Sequence, residues 1–190
     1  MEEHTCPWWF GYTFDNPFRR LLHDPGAILD GLVAEGQTVA DVGCGGGHFS
    51  LGLARLVGVE GRVIAIDLQS KMLERTRKRA RRGGLEGVLD FRLCTPRRLG
   101  LDEPLDLVLA FWMVHEVMDQ AAFFSEIKSA LRPSGHLLVA EPKVHVPSAR
   151  FDRSLQMAQE SGLRVVSRPQ VRFSRAALFS PDPSDPGGIG

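Results

Sequence analysis

At 190 residues the chain suits one domain, which would bury roughly 70% of the surface its unfolded form exposes. Its 23 Lys and Arg offset 23 Asp and Glu, so no global field holds a nucleic-acid backbone or an anionic membrane. The three cysteines, Cys6, Cys44 and Cys94, form no CxxC pair, which points to reduced thiols in a cytoplasm rather than a disulfide framework.

The first residues, Met-Glu-Glu, lack the positive and apolar regions of a secretory signal, and no stretch nears the ~20 apolar residues of a membrane span. Residues 1–36 form an N-terminal segment, helical and aromatic, with "HTCPWWFGYTF" (4–14) ahead of the domain proper. "TVADV" (38–42) reads as a buried strand, four glycines fall between Gly43 and Gly47, and "HFSLGLARLVG" (48–58) reads as a helix. "RVIAI" (62–66) is the next strand, followed by a helix over 70–82 and the strand "VLDFRLC" (88–94). "TPRRLGLDEP" is too short and too broken by proline for a helix before the strand "LDLVLAF" (105–111). A helix over 119–131, a turn at "LRPSG", the strand "HLLVAE" (136–141) and a helix over 148–161 follow. "LRVVS" (163–167) and a stretch near 170–175 complete the strands, and 180–190 reads as a disordered tail after a domain of 37–179. Alternating strands and helices predict a parallel sheet wrapped by helices.

Each glycine adds roughly 0.5–1 kcal/mol of backbone entropy cost, so the cluster at 43–47 needs a reason. A strand, a glycine turn and a helix make a nucleotide cradle. The dinucleotide pattern GxGxxG fails at its third glycine, where His48 stands, whereas Asp41-x-Gly43-x-Gly45-x-Gly47 is intact. This pattern resembles the first motif of class I S-adenosylmethionine-dependent methyltransferases. "GRVIAIDLQSKMLE" (61–74), "LDLVLAFWMVHEV" (105–117) and "ALRPSGHLLVAEP" (130–142) are similar to later segments of the same family, in order, across about 37–175.

The resemblance implies a three-layer Rossmann-like sheet of seven strands, mostly parallel with the last antiparallel, and S-adenosylmethionine as cofactor. Asp41, Gly43, Cys44, Gly45 and Gly47 then line the methionine end, with Asp67 accepting from the ribose hydroxyls. Leu68, Cys94, Thr95 and Phe111 are the further cofactor candidates, although Cys94 and Thr95 stand where many relatives carry an Asp for the adenine amino group. Among the relatives, the type-11 group that includes ubiquinone and menaquinone biosynthesis methyltransferases is most similar. A small-molecule acceptor is implied, with nucleic acid disfavoured.

His115 lies in the loop after the fourth strand and suits proton removal near neutral pH, or orients the loop; Glu116 is a weaker candidate. Glu141, Trp8, Trp9 and Tyr12 are substrate-contact candidates, the aromatics either as a lid over the site or as a patch docked on the sheet edge or a twin subunit. His4, Cys6 and His23 match no standard metal spacing, so no metal is expected. "RTRKRARR" (75–82) reads as a solvated helix face. The rival readings are an NAD(P)-dependent oxidoreductase and a non-catalytic adenosylmethionine-binding regulator.

Overall fold

The computed structural model describes residues 22–184, and the chain divides after Cys94 into two units. In the first unit a short helix α1 (Pro25–Leu29) starts at Asp24, whose carboxylate accepts from the Ala27 N–H, with proline at the first helical position. Then come β1 (Thr38–Val42), α2 (His48–Val57), β2 (Arg62–Asp67), α3 (Ser70–Arg82), a 3-10 turn at Glu86–Val88 and β3 (Leu89–Leu93). β2 lies parallel between β1 and β3, with Asp41 opposite Ala65 and Asp67 opposite Leu93. Val39, Ala40, Val63, Ile64, Ala65 and Ile66 are fully buried, the continuous apolar run of strands covered on both faces.

α1 packs against α2 at Gly52, where an added Cβ would stand 2.3 Å from Pro25 Cβ. In α3 the buried stripe is Met72, Leu73, Thr76 and Ala80, which turns most of the basic run outward. Arg81 pairs with Glu86 at 2.9 Å, and the Arg77 guanidinium sits 4.8 Å from the centre of the Phe91 ring. The solvated face expected at 75–82 is therefore only part of the picture, because Thr76 and Arg79 face inward onto the glycine loop.

The second unit holds β4 (Leu105–Phe111), a 3-10 turn at Val114–Glu116, α4 (Gln120–Ala130), β5 (Leu131–Pro142), α5 (Ser148–Glu160), β6 (Leu163–Ser167) and β7 (Ser174–Pro181). β4 and β5 are parallel, and β7 runs antiparallel to both β5 and β6. The seven strands have the order β3-β2-β1-β4-β5-β7-β6, the mostly parallel sheet with an antiparallel last strand that the sequence led us to expect. The core of this unit is built on Leu105, Leu107, Leu109, Phe124, Ile127, Leu137, Leu138 and Phe179.

Three expectations need correction here. "LRPSG" is not a free turn but a bulge within β5: Leu131 pairs with Leu105 and His136 with Leu107, so the intervening residues loop out opposite one. Gly135 is required there, since a Cβ would stand 2.6 Å from the Leu105 carbonyl oxygen. The last strand is 174–181 rather than 170–175, because Ser174 N–H closes a turn on Val171 O and Phe173 takes a left-handed φ of 57°. The strand therefore runs past the boundary set for a tail at 180, and Asp182 N–H still donates to Gly162 O; residues 185–190 lie outside the described part.

The linker "TPRRLGLDEP" is organised by one side chain. Glu126 of α4 accepts from the backbone N–H groups of Leu99 at 2.9 Å, Gly100 at 2.6 Å and Leu101 at 3.3 Å, and both leucines are buried. Glu126→Ala is expected to cost about 1–3 kcal/mol, the penalty for stranding donors in a partly buried loop. Urea unfolding with a lowered midpoint and unchanged slope would register it, and an unshifted midpoint would refute the role.

Candidate active site

In the first unit, the loop after β1 is wound by glycines at left-handed φ: 70° at Gly43, 51° at Gly45 and 77° at Gly47. The N–H groups of Gly43 and Cys44 both donate to Ile66 O at 2.9 Å, which ties the loop to the end of β2. Asp41 is buried and accepts from Ser50 Oγ at 2.5 Å, so its carboxylate braces α2 from beneath the loop. From α3, Thr76 Oγ1 donates to Gly45 O at 2.9 Å, and Arg79 donates to Gly46 O.

The glycines are not equivalent. A Cβ at Gly45 would meet nothing within 4 Å, whereas one at Gly47 would stand 2.4 Å from Thr76 Cγ2. At Gly47 the packing of α3 already demands a glycine, whereas at Gly45 the space beside the backbone is open. Cys44 is buried in the loop, and burial first, then the charges of Asp41 and Asp67, push its thiol well above the usual value.

Asp67 ends β2 with Oδ2 accepting from Gly45 N–H at 2.9 Å and Oδ1 from Gln69 N–H at 2.8 Å. Burial raises its pKa, and the backbone donors from Gln69, Gly45 and Leu68 offset only part of that cost. A raised folded-state value favours folding below the unfolded pKa and is lost as pH climbs through the folded one. Each of its oxygens can accept more than the one backbone donor named above. Its remaining lone pairs suit a vicinal diol, so the residues present fit the ribose of S-adenosylmethionine.

Beside it Leu68 is 42% exposed, an apolar surface that a flat ring would cover. Cys94 N–H donates to Asp67 O at 3.1 Å, fixing the end of β3 next to the carboxylate. Thr95, which opens the second unit, accepts with its hydroxyl from Arg98 N–H at 3.1 Å within a local turn, so this oxygen serves the chain rather than an adenine. His48, in the place of a third dinucleotide glycine, has Nε2 2.7 Å from His23 O.

In the second unit, the carboxyl ends of β4 and β5 hold a different group. Glu141 is 1% exposed; Oε1 accepts from Val114 N–H at 2.8 Å and Oε2 lies 2.5 Å from His115 Nδ1. Both oxygens are thus engaged inside the protein, which corrects the expectation of Glu141 as a substrate contact. Arg150 of α5 donates to His115 O at 2.7 Å, and Gln120 donates to Val114 O at 3.0 Å, so the turn is clamped at its backbone. Burial lowers the His115 pKa, but the hydrogen bond and charge of Glu141, with Glu116, outweigh burial and the Arg150 charge, and the net direction is upward.

Phe111 is buried at the end of β4 and stacks on Trp112, ring centres 5.5 Å apart. Trp112 has a left-handed φ of 62°, a strain of roughly 1–2 kcal/mol for a residue with a side chain. It is held by its N–H to Ala140 O at 2.7 Å and its indole Nε1 to Ser174 Oγ at 2.8 Å. Such strain collects at active sites.

Sequence reasoning missed Ser50, Thr76, Arg79, Trp112 and Arg150. Ser50 and Thr76 had a signal, polar residues inside apolar helix stripes. The backbone of Trp112 and the reach of Arg150 had none. Trp8, Trp9 and Tyr12, like His4 and Cys6, lie outside the described residues. Among the described residues no group of His, Cys, Asp and Glu could hold a metal, and no helix is long and apolar enough to cross a membrane.

Comparison with known proteins identifies the family and the fold. A family model described as a methyltransferase domain matches residues 34–167. The chain is 33% identical over 110 residues to a ubiquinone/menaquinone biosynthesis C-methyltransferase of Haemophilus ducreyi, covering 57% of this chain and 42% of that one. It is 37% identical over 101 residues to a ubiquinone biosynthesis O-methyltransferase of Paramagnetospirillum magneticum, covering 53% and 39%. The chain thus spans about two fifths of the length of these relatives. In fold it resembles a SAM-dependent methyltransferase from Aquifex aeolicus, with a TM-score of 0.83 at 24% identity over 92% of this chain and 98% of that one. With the model matching well over half its length, the chain belongs to the methyltransferase domain family.

Proposed function

We propose that the protein transfers a methyl group from S-adenosylmethionine to a small-molecule acceptor. The observation that carries this reading is Asp67, a buried carboxylate at the end of β2 that accepts from Gly45 N–H of the glycine loop and from Gln69 N–H. When bound, the cofactor supplies an electrophilic methyl on a sulfonium. The chain's part is to hold the cofactor through the 43–47 loop, Asp67 and Leu68, to exclude water, and to take a proton at His115 where the acceptor must lose one. The relatives named above act by name at carbon or oxygen in quinone biosynthesis, which favours a small ring-bearing acceptor over a macromolecule. Cys44 and Cys94 are not joined in a disulfide, which fits a reducing, cytoplasmic place of action.

Asp67→Ala is expected to weaken adenosylmethionine binding by about 1.5–3 kcal/mol, the range of a charge-assisted hydrogen bond, in a protein that stays folded. Calorimetry on the folded variant decides it, and unchanged affinity would end the assignment. The same titration with a nicotinamide dinucleotide should show no heat of binding. Heat there, with none from adenosylmethionine, would turn the reading to an oxidoreductase.

A further inference from the structure

The site chemistry goes further than a lone histidine, and the step taken here rests on the methyl-transfer reading. We infer that Glu141 is a positioning residue that fixes His115 as the Nδ1–H tautomer with Nε2 as proton acceptor, for an acceptor whose reacting oxygen carries a proton.

The geometry leaves little choice of tautomer. An ionised carboxylate only accepts, so the 2.5 Å contact between Glu141 Oε2 and His115 Nδ1 requires the hydrogen on Nδ1. Neutral His115 therefore keeps its lone pair on Nε2. That nitrogen has no hydrogen-bond partner among the described residues: Glu116, 39% exposed, lies 3.9 Å from it. Glu116 is too far to accept a hydrogen bond yet near enough to favour an imidazolium. Arg150, bonded to the His115 carbonyl, opposes it. Among the described residues these three, from β5, the turn itself and α5, are the charged groups that act on the ring.

Glu141 is itself held in place. Its second oxygen is bound by Val114 N–H, from the same turn that carries His115, so carboxylate and imidazole cannot drift apart without breaking a buried bond. This is the arrangement of a base with an orienting acid behind it.

Such a pair matters for some acceptors and not for others. A thiol with a pKa near ~8.5 supplies its own thiolate in solution, and a lone pair on arsenic or a tertiary amine has no proton to lose. A phenolic hydroxyl with a pKa near ~10 stays protonated at neutral pH and is a weak nucleophile until a base takes its hydrogen. In the step inferred, one proton moves from the acceptor oxygen to His115 Nε2 as an O–CH3 bond forms; the S–CH3 bond of the bound sulfonium would break in the same displacement and its sulfur leave as a neutral thioether, and the proton passes to water afterwards, restoring the neutral ring.

The test uses the full chain with labelled histidine. The wild-type nitrogen spectrum, with the His115 signals identified by their loss in His115→Asn, should show the Nδ1–H tautomer. In Glu141→Gln the His115 pKa should fall toward its unperturbed ~6.5. With methyl-labelled S-adenosylmethionine and a panel of catechols and hydroquinones, the same variant should lose roughly tenfold or more in kcat, with KM little changed. The acid limb of its pH profile should move down with the histidine. An Nε2–H tautomer in the wild type overturns the inference, as does a Glu141→Gln protein with unchanged histidine titration. Should that variant not fold, the wild-type tautomer decides alone. Thiols methylated in preference to phenols would overturn the acceptor class. A failure to bind adenosylmethionine strikes the methyl-transfer reading instead and leaves the titration to judge the pair.

Discussion

Replacing His115 with alanine is expected to lower methyl-transfer turnover by about 10²–10⁴ at neutral pH, the usual worth of a positioned general base, with cofactor affinity nearly unchanged. The size follows from what the substitution removes. The ring nitrogen facing away from Glu141 is the only part of the pair that can meet an acceptor, because Glu141 is 1% exposed with both oxygens engaged. Affinity should hold because the cofactor contacts assigned above belong to the 43–47 loop, Asp67 and Leu68. Alanine also leaves Glu141 Oε2 buried without its partner, so the melting temperature should drop. His115→Asn, which restores a donor, separates lost stability from lost chemistry. Single-turnover rates on protein verified as folded make the measurement, and a decrease under tenfold would leave His115 as a structural clamp.

Gly47→Val should destabilise the protein by about 2–5 kcal/mol, adding roughly 1–2 for a left-handed backbone to roughly 1–3 for overpacking. The φ of 77° is poorly suited to a β-branched residue, and the new Cβ would lie 2.4 Å from Thr76 Cγ2 and 2.7 Å from Thr76 Oγ1. Thr76 cannot swing aside freely, since its hydroxyl is bonded to Gly45 O. Gly45→Ala gives the contrast: its Cβ meets nothing within 4 Å, so only backbone strain remains and the loss should fall on binding. Urea unfolding of the two variants beside adenosylmethionine titrations reads both effects. Equal destabilisation would mean that the loop yields at Gly47 and that α3 does not set its shape.

The strands and helices from 38 to 167 were legible because their signals are local. "TVADV", "RVIAI" and "LDLVLAF" are apolar runs of strand length, and the helix over 70–82 stops at Gly83-Gly84 as its sequence indicates. Motif spacing singled out Asp67 and the glycines, and the structure joins them through the bond from Gly45 N–H to Asp67. What was lost depends on atoms far apart in the chain. Glu141 looked like a residue offered to substrate because a strand end faces a site; its burial comes from Val114 and His115, 27 and 26 residues away. The start of β7 was misplaced because "VRF" alternates like a strand, while the left-handed turn at Phe173 has no sequence mark in a residue other than glycine. The bulge in β5 reads as an ordinary Pro-Gly turn until Leu105 and Leu107 are found pairing on either side of it.

The thiol of Cys44 bears on how the protein ages in a cell that makes peroxides. Attack on an oxidant or an electrophile proceeds through the thiolate, and a buried sulfur flanked by two carboxylates is kept protonated. The glycine loop can therefore carry a sulfur atom within it without becoming the chain's weak point. Cys94 is more open to solvent, so of the two described cysteines it is the one that reagents reach first. Oxidative damage would begin just past the end of β3 and leave the heart of the loop chemically silent.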